Sequence, residues 1–507
     1  KETQNLLLQS NSFDTTWTLS SSIPVSGGQS GYDGSNDAWL LKRSDASSRY
    51  IRQNVSSSGV HTFSFYAKPE SVNWMYMYVS DGVTNYNAYF DLSSGALGST
   101  SGVIDSAIES AGNGYYRCSI SVNASINAVR LYPAVNNGSI TGGVSPAGIY
   151  IQDAQLEQGL VARDYIETTT AAVEGGITDN VPRLDYTDSS CPALLLEPQR
   201  TNIFVQSEYF TGGDWDLNSG TTLTDNYATS PEGVQNATRY VGTGASGLGD
   251  KYTLVNGTQY TISAYVKSNT GATQNCRLIG DSSNVSSDLE ITTEWTRIDY
   301  TWTSGGLANK TNGLFRDSSN NDIDILIFAL QLEAGSYATS YIPTYGTSVT
   351  RNREQCSENG LSSLIGQTEG TIYWEGSFQD NSNPILLQIA PNSGNYTSTI
   401  YFEFAGSAIR MRVYDSGTQQ ANLTTSASAG TQYKIALSYK ENDIKGYVNG
   451  SSIGTDTSAT IQSGLNNVHI GELRGSSLAD FNGTIPKQVM LFKTRLSNEE
   501  LAALTTI

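Results

Sequence analysis

IYIQDAQLEQGLVARDYIETT, residues 149–169, is matched by ILIFALQLEAGSYATSYIPTY at residues 325–345, each running from an apolar strand through QLE and a glycine to a YI pair. Three further blocks keep the same order around them. NLLLQSNSFDTTWTL at 5–19 matches NIFVQSEYFTGGDWDL at 202–217, VHTFSFYAKPES at 60–71 matches TQYTISAYVKSNT at 258–270, and YYRCSISV at 115–122 matches WTRIDYTW at 295–302. Four matches in one order, at offsets of 176 to 198 residues, make residues 1–168 and 200–348 two copies of one fold.

Each copy is assembled from short runs rich in Val, Ile, Tyr, Phe and Thr, such as HTFSFYAK at 61–68, separated by Gly, Asn, Asp and Ser. No 3.6-residue period is sustained, so these are strands and turns. Roughly 150 residues of such strands predict two antiparallel sheets packed face to face, a jelly roll. Between the copies, the connector 169–199 carries an apolar run from Ala193 to Leu196. It is too apolar for a floppy tether and is expected to lie across a module surface, as an added strand between modules or between subunits. Residues 349–365 read as a linker. From 366 to 507 the strands TIYWEGSF, STIYFEF, AIRMRVYD and YKIALSYK follow, with a hairpin turn at Glu441-Asn442-Asp443. The chain ends LSNEELAALTTI, where Ser497 as N-cap and Glu500 three residues on predict a short helix. The expected fold class is therefore all-β, with three tandem β-sandwich domains: two repeated jelly rolls and a third sandwich with a short C-terminal helix.

At 507 residues the chain exceeds one compact core. A net charge of −19 argues against nucleic acid and anionic membrane surfaces as partners, because phosphate binding draws on clustered Lys and Arg. No apolar run approaches the roughly 20 residues that span a bilayer, and no membrane insertion is expected. The chain starts KETQNLLLQS, without an initiator Met or a signal-like apolar stretch, which predicts a processed or trimmed form. Cys118, Cys191, Cys276 and Cys356 lie far apart with no CxxC pair. That is no zinc pattern, and four buried thiols are expected.

At this point family resemblances enter. Residues 366–507, with IALSYKENDIKGYVNG, HIGEL and FNGTIPKQVMLFKTRLSNEELAALT in order, resemble a concanavalin A-like lectin/glucanase domain of the laminin-G type. The repeats, with NLL.QS…W near their starts and QLE.G…YI at their ends, are similar to carbohydrate-binding-module-like jelly rolls of bacteriophage virion proteins. The connector RLDYTDSSCPALLLEPQRTN resembles a segment of phage tail-fibre and structural proteins. These resemblances imply a tail- or head-fibre-like appendage on the virion surface. Its partners would be host-surface or environmental glycans, other virion proteins and its own copies, as a trimer. They also imply a structural Ca²⁺ near the first and last strands of a jelly roll, for which Asp153 stands where the family has an acidic ligand; the second copy has Ala329 there. No other cofactor is implied.

Catalysis finds little support. General acid/base and nucleophilic chemistry most often uses histidine, and only His61 and His469 exist, both inside strand patterns. GSSIG at 450–454 has the letters of a nucleophile elbow, but no helix follows the turn. GDSS at 280–283 lacks a partner histidine late in its domain. The third domain has no acidic run like that of laminarinase relatives; Glu403 stands alone, and Glu441 and Asp443 sit at a turn as solvated groups.

The candidate binding stretch is NWMYMYV at 73–79. Its alternation puts Trp74, Tyr76 and Tyr78 on one face and Met75, Met77 and Val79 on the other, and the sulfur and aliphatic face is the better core. Asp81 follows in the turn, then Tyr86 and Asn87, with Asn85 and Tyr89 nearby; Trp39 and Arg43 come earlier. Rings for sugar C–H faces beside amides and carboxylates for hydroxyls make a glycan platform. A protein interface and plain packing use the same residues. The corresponding TQNCRLI at 273–279 has no aromatic residue, so the fold itself does not require them. The reading is a non-catalytic virion adhesion protein that binds glycans. A purely structural spacer, a glycan depolymerase and a secreted carbohydrate-binding protein are the alternatives.

Overall fold

A computed structural model describes residues 3–21, 23–143, 146–175, 181–186, 190–379, 384–391, 397–473 and 484–507. Strands dominate, and the one helix among the described residues is Asn498–Thr505. The chain forms two compact units: Lys1–Asp179 with Asn202–Glu333 and Tyr341–Val349, and Asn180–Thr201 with Ala334–Ser340 and Thr350–Ile507.

In the first sandwich two long strands, Ile51–Pro69 and Tyr115–Ala134, pass through both layers. They pair antiparallel from Tyr116 opposite Ala67 to Leu131 opposite Ile51, with a bulge between Ile126 and Ala128. On its free edge Tyr115–Ala134 first pairs with Asp105–Gly112 and then with Trp74–Ser80. One layer thereby contains Ala38–Arg43 and Ala147–Gln158, and the other runs from Thr18–Leu19 through Trp74–Ser80 and Asn85–Asp91 to Ala96–Ser101. The core between them holds Phe63, Phe65, Met75, Met77, Val79, Leu131 and Leu156.

The second sandwich repeats this order with the long strands cut. Thr221–Ala228, Ala237–Gly242, Ile323–Ala334, Gln259–Ser268 and Thr296–Thr303 form one sheet; Asp216–Leu217, Gly247–Tyr252, Lys310–Arg316 and Gln274–Gly280 lie in that order in the other. The cuts fall at Asn256-Gly257 and Gly305-Gly306, where Gly257 and Gly306 have positive φ and turn the chain. Trp17 and Trp215 are buried in the two cores.

The repeated blocks that reveal the duplication form a latch in each copy. Asn5, fully buried, donates to the Ala154 and Ile166 carbonyls and accepts from the Leu7 and Leu156 amides. Gln155 gives 2.7 Å to Glu157 Oε1 and accepts from Ile166 N at 2.8 Å. In the second copy Asn202 donates to Ile342 O and accepts from Leu332 N, while Gln331 reaches Glu333 Oε1 and Ile342 N, each at 2.7 Å. Ser10 and Ser207 meet the Tyr165 and Tyr341 hydroxyls at 2.6 Å in both copies. QLE and YI are thus ties between the first and last strands, because buried polar groups of an irregular edge require partners.

The third sandwich packs a six-stranded sheet, Cys356–Glu358 through Thr418–Ser426, on a five-stranded one that includes Glu369–Phe378 and Thr484–Phe492. The strand Cys356–Glu358 pairs with Leu465–Ile470, so the sheet begins inside the stretch read as a linker. Ser497 caps the helix in a full capping box with Glu500, and Leu501 is buried. In the connector, Leu184–Asp185 pairs with Ala193–Leu194 as a ribbon, and Asn180–Thr201 belongs to the unit of the third sandwich. Its anchor is ionic. Buried Glu197 meets Arg183 Nη2 at 2.6 Å and Arg351 Nη1 at 2.9 Å, and Arg183 also holds Glu354. Cys118 and Cys276 are buried, but Cys191 is exposed and Cys356 half-buried, which corrects the expectation of four buried thiols.

Candidate functional site

The strand Trp74–Ser80 lies between Tyr115–Ala134 and Asn85–Asp91, and register sets what shares its outer face. Met75, Met77 and Val79 are fully buried, which turns Trp74, Tyr76 and Tyr78 outward. Opposite them on one side come Ala134, Tyr132 and Arg130, and on the other Asp91, Tyr89 and Asn87. Tyr50 completes the row. Its ring lies 5.1 Å from Tyr132, which is 5.3 Å from Tyr76, which is 4.5 Å from Tyr89. The Arg130 guanidinium sits 4.9 Å from both the Tyr50 and Tyr78 rings, a cation held between two π faces.

The two ends of this face differ. Tyr78 is only 9 % exposed, and its hydroxyl donates to Asn85 Oδ1, so it serves packing more than contact. At the other end Trp74 is half-buried against Gly98, where an added Cβ would come 2.7 Å from both the indole and Asn137 Oδ1. Ser99 donates to that same oxygen through its amide and hydroxyl, at 2.7 and 2.8 Å. A ring, an amide and a hydroxyl therefore meet at the exposed edge.

Of the residues singled out in the sequence, Trp74, Tyr76, Tyr78, Asn87 and Tyr89 share this face, and Tyr86, Asp81, Trp39 and Arg43 do not. Tyr86 pairs with Val79 and packs on the core side, its hydroxyl reaching Asp81 Oδ2 at 3.2 Å. Asp81 closes the hairpin turn: its Oδ1 accepts from Val83 N at 2.8 Å and Thr84 N at 2.5 Å. Those bonds, Thr84 first, hold its carboxyl below the ordinary range. Trp39 and Arg43 belong to the other layer, where Arg43 is buried on the carbonyls of Asp45, Ser47 and Gly142. The sequence reading passed over Tyr50, Arg130, Tyr132 and Asn137, which reach the site from segments far away in the chain.

A second aromatic cluster, with Tyr32 stacked 3.8 Å over Tyr66 and Arg117 above Tyr66, lies in the other layer. Its guanidinium–ring pair recurs in the second copy as Arg297 over Tyr265. A pair kept in both copies belongs to the fold. The tyrosine row has no such counterpart.

Asp153 occupies a left-handed bulge (φ 51°) and accepts from the Tyr32 hydroxyl at 3.0 Å. Ala329 takes the same conformation in the second copy. Burial pushes the Asp153 carboxyl up to about 7 against the pull of Tyr32, and Asp37, Asp33 and Glu167 add to the rise. These surroundings do not fit the implied calcium ion: a hydroxyl donor occupies the carboxylate, and among the described residues no group of three or more His, Cys, Asp or Glu gathers to hold a metal. The folded chain holds this proton more tightly than the unfolded chain, so stability from this group falls as pH rises from about 4 to 7. Asp153→Asn keeps an acceptor for Tyr32 and is expected to stabilise by roughly 2 kcal/mol at pH 8. The gain should vanish near pH 4 in paired urea titrations.

Both histidines are buried. His61 Nε2 meets Ser57 Oγ at 2.7 Å, and burial lowers its pKa. In the third sandwich, the lone Glu403 is partly buried between Arg412 at 2.9 Å and Arg410 at 3.7 Å. Burial raises its pKa, and the two arginines limit the rise. Asn449-Gly450, with positive φ at both residues, shows the GSSIG letters to be a hairpin turn. No described helix is long and apolar enough to cross a membrane.

Residues 372–502 match a laminin-G-type family model of the concanavalin A-like lectin/glucanases superfamily, and the third sandwich is a domain of that kind. Among solved structures, the chain is similar to the Ruminococcus gnavus IT-sialidase CBM40 bound to α2,3-sialyllactose, at 23 % identity over 29 % of this chain and 86 % of that one, with a TM-score of 0.25. The receptor-binding domain of botulinum neurotoxin D matches at 12 % identity over 30 % and 40 % of the two chains, with a TM-score of 0.24. Scores of this size carry no argument for a shared ligand. No curated protein matches.

Proposed function

We propose that this chain is a non-catalytic glycan-binding protein whose first sandwich presents the tyrosine face to sugars. The observation that carries the reading is the contrast between copies. Where the first copy has Trp74, Tyr76 and Tyr78 over buried Met75 and Met77, the second has Asn275, Arg277 and Ile279 beside buried Cys276 and Leu278. One topology therefore serves without the rings. Aromatic surface flanked by amides and hydroxyls suits a ligand with C–H faces and a hydroxyl rim, and the lectin-like third sandwich agrees with that class. The finer setting, an adhesive fibre-like appendage on a phage virion that works as a trimer, is supported by the resemblance of the repeats and connector. Several weak sites in one assembly would gain avidity through effective concentration.

Trp74→Ala in the intact chain is expected to weaken glycan-array and cell-surface binding at least tenfold, about 1.4 kcal/mol, at unchanged oligomer mass and melting temperature. A parent that binds no glycan, with a variant that drops to a smaller assembly, would instead make the face a subunit contact.

A further inference from the structure

We propose that the second sandwich carries its own sugar cleft, on the face that corresponds to the tyrosine face of the first, shaped for a neutral, hydroxyl-rich ring. The inference deepens the glycan-binding reading and rests on it for the ligand class.

Register supplies the correspondence. In the first copy, Tyr76 lies opposite Tyr132, and the ladder that places Leu131 opposite Ile51 brings Tyr50 to the far side of Tyr132. In the second, Arg277 lies opposite Phe315, which lies opposite Gly247. A row of three tyrosines has become arginine, phenylalanine and glycine. Without a side chain at 247 the Phe315 ring lies down over the strand: a Cβ there would come 2.2 Å from its Cε1. Beside it opens a cleft of about 570 Å³, within the range of small-ligand sites, lined by Phe315, Arg277, Arg316, Asn218, Asn320 and Asp322.

The lining is suited to one ring. Phe315 offers an apolar face. Arg277 is oriented by its Nε, which donates to the Arg316 carbonyl at 3.0 Å, and its terminal nitrogens meet no acceptor among the described residues. Arg316 instead ties down the wall, bonding Asn320 O at 2.5 Å and Oδ1 at 3.0 Å. Asp322 and Asn218 supply exposed acceptors. Two guanidiniums are matched by Asp322 in the lining and by Asp288, 3.9 Å from Arg277. Positive charge is balanced, which favours a neutral sugar over a uronate.

The test is titration calorimetry on the intact chain carrying Trp74→Ala, with lactose, maltose and cellobiose as neutral probes and digalacturonate as the acidic one. A saturable isotherm for a neutral disaccharide is expected. Adding Phe315→Ala, Arg277→Ala or Ala245→Trp should weaken it tenfold or more; the last fills the cleft from an exposed loop residue and leaves the core intact. Binding unchanged by Ala245→Trp at an unchanged melting temperature overturns the cleft, and a preference for digalacturonate overturns the neutral class. If no neutral probe binds the Trp74→Ala chain while the parent still binds its array glycans, the cleft falls and the tyrosine face stands. A parent that binds no glycan at all overturns both.

Discussion

Asn5→Ala is expected to destabilise the first sandwich by about 4 kcal/mol, near the upper end for a single substitution. The side chain is fully buried and bridges three segments: it donates to Ala154 O and Ile166 O and accepts from Leu7 N and Leu156 N. Truncation leaves four backbone groups without partners, and each orphaned buried group costs roughly 1–3 kcal/mol before relaxation or water entry reduces the sum. Asn202→Ala should produce a similar loss in the second sandwich, where the same residue type ties Ile342 O and Leu332 N. Hydrogen exchange at the Leu156, Ile166, Leu332 and Ile342 amides separates the two effects, each variant deprotecting its own copy first. Equal protection in parent and variants would show that the repeated blocks do not latch the sandwiches. Because the latch is internal, glycan binding by whatever fraction stays folded should be unchanged.

Glu197→Ala is expected to cost the unit of the third sandwich about 3 kcal/mol, since removing one partner from a buried ionic network strands the rest. Glu197 is 5 % exposed; it takes Arg183, Arg351 and the Ser340 amide, the last at 2.7 Å, and its own amide donates to Glu354 at 2.8 Å. Both arginines keep partial contact with water, which holds the figure below that of a fully buried triad. Burial alone would raise the Glu197 carboxyl; Arg351, Arg183 and Ser340 outweigh it and hold the carboxyl below the ordinary range. A carboxyl depressed in the folded state contributes stability above its unfolded pKa, and that contribution is lost as pH falls through the folded value. The parent should therefore lose stability on acidification, and the variant less. Urea titrations of both at pH 7 and pH 3 decide it: a constant gap between them would remove the ionic account of the connector.

Much of this molecule follows from local chemistry. Alternation alone turned Met75, Met77 and Val79 inward and Trp74, Tyr76 and Tyr78 outward, because successive strand side chains must oppose each other. Ser497 and Glu500 announced the final helix because a cap lies within one turn of the groups it satisfies. The duplication was legible in four matched blocks, while their purpose was not: QLE and YI look like a signature, and only the folded chain shows Asn5, Gln155 and Glu157 meeting across about 150 residues. Tyr86 was grouped with Asn87 by nearness in sequence, and the pleat puts it on the core side. Its apolar run made the connector read as a packed segment, but the placing of Asn180–Thr201 in the unit of the third sandwich goes with Arg183 reaching Glu354, a contact that no local pattern encodes. The same limit applies to both proposed sites. Arg130 between Tyr50 and Tyr78, and Phe315 lying over Gly247 beside Arg277, are products of strand order and register. The sequence determined which way each side chain points; which side chains face one another was decided by the pairing of distant strands, since a sheet brings together residues whose separation along the chain is set by topology and not by period.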